Sequence, residues 1–168
     1  MRHLALALTT AALAACGPAD AADEAPSAAM ASEAPATAAA AAELPPIVVY
    51  KTASCGCCNG WIEHLQAAGF EVDARDTREL MAVKIDAGVP TQMSSCHTAL
   101  VDGYVVEGHV PADVVARLLA ERPDIAGIAV PGMPIGSPGM EGPGARPYEV
   151  HAFHADGTTE VFAEVDPR

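Results

Sequence analysis

From about residue 46 onward, short β-branched runs alternate with stretches whose apolar side chains recur at helical spacing. Ile47-Val48-Val49-Tyr50 is an uninterrupted run of the kind that forms a buried strand. Residues 58–68 put Trp61, Ile62 and Leu65 on one helical face, and Gly69 stops that helix. Phe70, Val72 and Ala74 alternate through residues 70–75 and read as a second strand. A second helix opens at Thr77-Arg78-Glu79-Leu80, runs to Asp86 and ends before Gly88 and Pro90; Met81, beside Leu80, is expected in the core. Residues 98–107 hold Asp102-Gly103 between apolar runs, a strong hairpin signal. Pro111 opens a helix striped by Val114, Val115, Leu118 and Leu119 and closed by Pro123. Residues 148–154 and 159–164 flank Asp156-Gly157 and read as a second hairpin.

The order strand, helix, strand, helix, hairpin, helix predicts an α/β domain with a mixed central sheet flanked by helices and a late hairpin appended. Between Asp124 and Pro147 lies a long Gly/Pro-rich segment with a local repeat, Pro131-Gly132-Met133 and Pro138-Gly139-Met140. Its embedded Ile125, Ile128, Val130 and Ile135 predict a packed loop without secondary structure of its own.

The start of the chain follows different rules. Arg2 precedes a short apolar run that ends in Leu13-Ala14-Ala15-Cys16, the order of a secretory signal. A cysteine directly after the small residues resembles the bacterial lipoprotein signal, in which Cys16 is lipidated and becomes the mature N-terminus. Residues 1–15 are therefore expected to be a signal peptide and residues 16–45 a lipidated, disordered Ala/Pro-rich acidic tether, since so few long side chains cannot offset the entropy of ordering. Residues 46–168 are expected to form the folded domain, facing the periplasm and held at a membrane through the lipid anchor. No other stretch reaches the roughly 18 apolar residues of a spanning helix.

Charge narrows the partners. Nine Lys and Arg against 22 Asp and Glu give a formal charge of −13, the wrong sign for a phosphate-binding surface, so nucleic acid is excluded as a partner. No G-x-S-x-G, Walker-type loop or H-E-x-x-H is present.

The chemistry rests on cysteine. Apart from Cys16, the chain carries Cys55, Cys57 and Cys58 in Ser54-Cys55-Gly56-Cys57-Cys58-Asn59, and Cys96 in Ser95-Cys96-His97-Thr98. The triplet lies between the first strand and the first helix, where free backbone N–H groups and the helix dipole favour thiolate. Cys55 and Cys58 have the C-x-x-C spacing of a thioredoxin-like redox pair, but that chemistry does not require Cys57. Three clustered sulfurs plus Cys96 suit a soft metal ion. Four cysteines also permit two structural disulfides, but Cys-x-Cys-Cys packs its thiols too tightly for useful cross-linking. A thioredoxin-like fold would bring Cys96 and His97 beside the triplet, and His109 follows the second hairpin strand. Met133 and Met140 offer thioether sulfur, a soft ligand for Cu(I), with gap-filling as the alternative role of each. Met93 is a further candidate. His64 reads as a surface or hydrogen-bonded residue, and His151 and His154 as poor candidates for one shared site.

These stretches together resemble the CopG-like proteins of bacterial copper-resistance systems. The likeness runs through Tyr50-Lys51-Thr52, Cys55 to Cys58, Ser95-Cys96-His97-Thr98-Ala99, the segment from Asp102-Gly103-Tyr104 to His109-Val110-Pro111, and the segment from Ala129 through Met133 and Met140 to Glu141. It implies a thioredoxin-like fold, an exported copper site built on the Cys-x-Cys-Cys loop, a role in copper tolerance alongside other periplasmic copper-handling proteins, and copper redox cycling. The leading expectation is a Cu(I) binder using Cys55, Cys57, Cys58 and Cys96, with Met133, Met140, His97 or His109 completing or flanking the site. The alternative is a thiol-disulfide oxidoreductase attacking through Cys55 and resolving through Cys58, although Ser54-Cys55 replaces the Trp-Cys usual in thioredoxin motifs. A structural zinc module fits less well, because zinc ribbons spread their ligands over two separated knuckles.

Overall fold

The β-branched run becomes β1 (Ile47–Lys51) and leads into α1 (Gly56–Ala67), β2 (Val72–Asp76) and α2 (Leu80–Asp86). A short 3-10 turn (Thr91–Met93) precedes the hairpin β3 (His97–Val101) and β4 (Tyr104–Glu107), then α3 (Ala112–Glu121), β5 (Gly127–Ala129), β6 (Tyr148–Phe153) and β7 (Thr159–Val165). This computed structural model describes residues 44–168. The expected leader, Cys16 and the tether up to residue 43 lie outside the described residues. No helix among the described residues is long and apolar enough to cross a membrane.

The strands form one seven-stranded sheet in the order β2-β1-β3-β4-β5-β6-β7. β1 is parallel to β2 and antiparallel to β3, which pairs antiparallel with β4. With α1, α2 and α3 this half is a thioredoxin-like α/β fold. β5 adds parallel to β4, and the hairpin β6–β7 continues the sheet antiparallel. The β3–β4 turn is made by Asp102 and Gly103, both at positive φ (47° and 87°), as a two-residue turn between right-twisted strands requires.

The main core lies on one face of the sheet. Trp61, Ile62 and Leu65 of α1 and Val114, Val115 and Leu118 of α3 pack against Ile47, Val49, Ala99, Val101 and Val106. A smaller cluster of Met93, Val105, Ala129 and Phe153 gathers with Ala87 and Val89.

Four expectations are corrected. α2 turns Leu80, Val83, Lys84 and Ala87 inward at i, i+3, i+4, i+7 spacing, so Met81 is 64% exposed rather than in the core. The inward residue is Lys84, buried against the Glu107 carboxylate. The second strand covers Val72–Asp76 rather than 70–75: its pairing with β1 runs from Val72 opposite Ile47 to Asp76 opposite Lys51, and Phe70 packs into the core just before it. The Gly/Pro segment is not all loop. Gly127–Ala129 forms β5, where a Cβ on Gly127 would run into the Val105 carbonyl and the Phe153 ring. Ile128 and Val130 are fully buried, but Ile135 is 49% exposed.

Truncating fully buried Leu118 to Ala is expected to cost about 2–5 kcal/mol, read as a lower urea midpoint at unchanged slope. Met81→Ala is expected to move stability by less than about 0.5 kcal/mol; a cost comparable to that of Leu118→Ala would place Met81 in the core after all.

Candidate metal centre

β1 delivers the chain to a turn at Thr52, Ala53 and Ser54, and α1 begins two residues earlier than the apolar pattern suggested. Cys55 is the N-cap residue, in extended conformation, and Cys57 and Cys58 fall in the first helical turn. The i, i+3 step from cap to helix brings the Cα atoms of Cys55 and Cys58 to 5.3 Å, within the span of an ordinary disulfide, and the two are joined. The expectation that the motif is too tight for cross-linking is thus corrected: the outer pair bridges across the cap while Cys57 stays free.

Cys96 arrives from the other side, on the segment directly before β3. Lys51 at the end of β1 faces His97 at the start of β3, which sets Cys96 beside the α1 N-terminus. Cys58 Sγ lies 3.8 Å from the Cys96 carbonyl oxygen, and Cys57 Sγ 3.6 Å from Cys55 Sγ. All four sulfurs lie within 4.8 Å of one another.

A second group shares Cys96. Ligand atoms of Cys96, His97 and His109 also lie within 4.8 Å of each other. His109 Nδ1 is 2.7 Å from the Pro138 carbonyl, which can only accept, so Nδ1 carries the proton. Nε2 is left with its lone pair facing Cys96 Sγ at 2.9 Å. His97 Nδ1 is 3.5 Å from the same sulfur. Its Nε2 is buried with no hydrogen-bond partner among the described residues. The His97 ring is held between Trp61, 4.2 Å away between centroids, and the edge of His109 at 5.0 Å.

Burial governs the protonation of this group. It lowers His97 to about 3, helped by the nearby His109 and Lys84, and it lowers His109 as well. It pushes the Cys96 thiol up to about 12, with Cys57 as the next cause. Two neutral imidazoles therefore face a protonated thiol, and binding a cation there displaces the thiol proton.

The Gly/Pro segment forms one wall. Met133 is 50% exposed and its Sδ lies 4.0 Å from Cys57 Sγ. Met140 is half-buried on the same segment and makes no such sulfur contact among the described residues. Gly139 (φ 81°) lies so close to α1 that a Cβ would strike the Cys57 carbonyl and the Trp61 amide. Ser95 Oγ donates to the Gly132 carbonyl, tying the wall to the Cys96 segment.

The other candidates fall elsewhere. Met93 is buried in the smaller apolar cluster. His64 Nε2 accepts the Ala112 N–H at the start of α3, 3.0 Å away. His151 and His154 pair with Glu149 and Glu160. Sequence reasoning missed the Pro138 carbonyl that orients His109, and the buried Lys84, Glu107 and Thr98 beneath Cys96. Only the charged end of the apolar run Tyr104-Val105-Val106-Glu107 hinted at the last group.

Thiolates, imidazoles and a thioether form a donor set for a soft ion, and the unpartnered Nε2 of His97 leaves a buried lone pair or proton unsatisfied. In the oxidised form Cys57, Cys96 and the histidines keep their donors; reduction of Cys55–Cys58 adds two more.

Keeping His97 neutral has a thermodynamic consequence. An unfolded chain protonates histidine near pH 6.5 and the native site only near pH 3, so between these values unfolding takes up a proton and stability falls as pH falls. The expected slope is up to about 1.4 kcal/mol per pH unit for each such histidine. Urea titrations of metal-free protein at several pH values check this; His97→Gln is expected to flatten the slope, and equal slopes would show that the burden lies elsewhere.

Comparison with known proteins agrees with this chemistry. Residues 93–140, which carry Cys96, His97, His109, Met133 and Met140, match a family described as "Protein of unknown function, DUF411". No curated protein sequence matches the chain. Two solved structures, "Copper resistance protein copG- Form 2" and "Copper resistance protein copG- Form 1", are each 48% identical to it at a TM-score of 0.69. Each covers 73% of this chain, and the match spans 99% and 98% of their own lengths. By fold, by cysteine cluster and by sequence identity over nearly the whole of those relatives, the chain belongs to the CopG family of copper-resistance proteins.

Proposed function

We propose that this protein binds Cu(I) outside the cytoplasm and contributes to copper tolerance there. The observation that carries this reading is the meeting of four cysteine sulfurs within 4.8 Å, with Cys96 shared by the group containing His97 and His109. Soft thiolate and thioether ligands favour Cu(I), whereas imidazole also suits Cu(II). A site offering both supports copper redox cycling as an extension of the binding role. Two electrons and two protons open Cys55–Cys58 and complete the thiol set, so the reduced chain is the better binder. The membership of Cys96 in both groups supports a bridging role for its sulfur. The half-exposure of Met133 beside Cys57 supports a role for its thioether in receiving an incoming ion.

The leader-like start, the small residues before Cys16 and the Ala/Pro-rich acidic segment support export as a lipid-anchored, periplasm-facing protein. Other copper-handling proteins of that compartment are the natural exchange partners.

The observed Cys55–Cys58 disulfide at a helix N-terminus favours one second reading, a thiol-disulfide oxidoreductase. The role of Cys57 separates the two. Anaerobic Cu(I) titration of the reduced chain, with a chelator in competition, is expected to show tight binding. Cys57→Ser is expected to lower the stoichiometry and weaken binding by more than the roughly 10–100-fold typical of losing an outer partner of a ligand. Trp61, the single tryptophan, lies against His97 with ring centroids 4.2 Å apart, and its fluorescence is expected to report occupancy. Unchanged stoichiometry in Cys57→Ser, together with metal-independent disulfide exchange, would favour the second reading.

A further inference from the structure

Glu107 ends β4 with a fully buried carboxylate, and it belongs to neither group of candidate ligands. What it holds is the chain on both sides of Cys96-His97. Its Oε1 accepts the Ser95 N–H at 2.6 Å, and its Oε2 accepts the Thr98 hydroxyl at 2.7 Å. The two residues between these anchors are the candidate ligands. Lys84 Nζ reaches in from α2, donating to Glu107 Oε1 and, at 3.0 Å, to Thr98 Oγ1. The next residue after Glu107, Gly108, donates its N–H to the His97 carbonyl at 3.1 Å, and His109 follows.

Burying two charges is a poor way to gain stability, because apolar residues of the same volume often serve as well or better. Ser94, Ser95 and Cys96 lie outside regular secondary structure, so a strand ladder does not fix Cys96. The cross-strand register sets Glu107 directly opposite Thr98, where one carboxylate spans the needed interval. We propose that the buried Glu107–Lys84 pair is a positioning clamp that fixes the Cys96-His97 segment in the geometry at which it meets a soft metal ion. The proposal rests on the copper-binding reading above, and neither residue of the pair touches the metal itself.

Two neutral double variants of the full chain separate the clamp from its charge. Glu107→Gln with Lys84→Met keeps an acceptor for Ser95 and a partner for Thr98 without either charge. Glu107→Leu with Lys84→Met fills the space but lets both anchors go. The first is expected to bind Cu(I) close to wild type. The second is expected to remain folded by circular dichroism yet bind about 10–100-fold more weakly, with an altered near-ultraviolet thiolate band. In metal-free protein its Cys96 is expected to be alkylated several-fold faster, followed by peptide mass spectrometry. Wild-type affinity and alkylation in the Leu/Met variant would overturn the clamp, as would equal losses in both variants. Should the Leu/Met variant fail to fold, Thr98→Val cuts one anchor alone; it is expected to show the same effects, and their absence overturns the proposal. If the wild-type chain binds no Cu(I), the copper reading falls, and the alkylation order of the variants still decides the clamp.

Discussion

The antiparallel pairing of β1 with β3, which sets Lys51 opposite His97, is the constraint on which the site depends. β1 must hand the chain to α1 at its C-terminal end, and an antiparallel neighbour must begin at that same end. The cap of α1 and the entry to β3 are therefore forced together, although Cys58 and Cys96 are far apart in sequence. The cysteine triplet needs only to occupy the cap and first turn, and Cys96 only to precede the strand, for four sulfurs to converge. The parallel β1–β2 pair and α1 brace this arrangement from the other side.

Convergence places polar groups where water does not reach. His97 and His109 are fully buried, and Trp61 closes over His97 while its own Nε1 donates to the Val110 carbonyl at 2.7 Å. Burial keeps both imidazoles neutral, the form in which a ring nitrogen can donate to a metal. The same burial keeps the Cys96 thiol protonated in the metal-free protein. Low polarity thus leaves the imidazole nitrogens free to donate and holds the Cys96 thiol protonated, so a cation binding there would have to displace that proton.

Much of this was legible in the sequence because it depends on local chemistry. Asp102-Gly103 specified a turn only residues tolerant of positive φ can make, and the i, i+1, i+4 spacing of Trp61, Ile62 and Leu65 specified the buried face of α1. The strand-like run before the cysteine triplet and the helical pattern after it put the triplet at a strand-to-helix turn. What escaped was non-local. Met81 and Lys84 look like a core residue and a surface residue until Glu107, contributed by a distant strand, makes the lysine the one to bury. β5 carries three residues whose pairing partners, not their propensities, make them a strand. A backbone carbonyl such as that of Pro138 has no side-chain signature at all.

The extension beyond α3 is consequently part of the site rather than an appendage to it. β5 and β6 are adjacent antiparallel strands, so the Gly/Pro segment between them leaves and returns at neighbouring points on the sheet. It has to fold back, and Gly139, at a φ that favours glycine, lets its backbone press against the first turns of α1. That contact sets the preceding Pro138 carbonyl against His109 Nδ1, which leaves Nε2 as the nitrogen facing Cys96. The choice of tautomer at a histidine following β4 is therefore made by a strand pair on the far half of the sheet. A thioredoxin-like core alone could hold the four sulfurs, but the imidazole that faces Cys96 is oriented only when the added strands are in place.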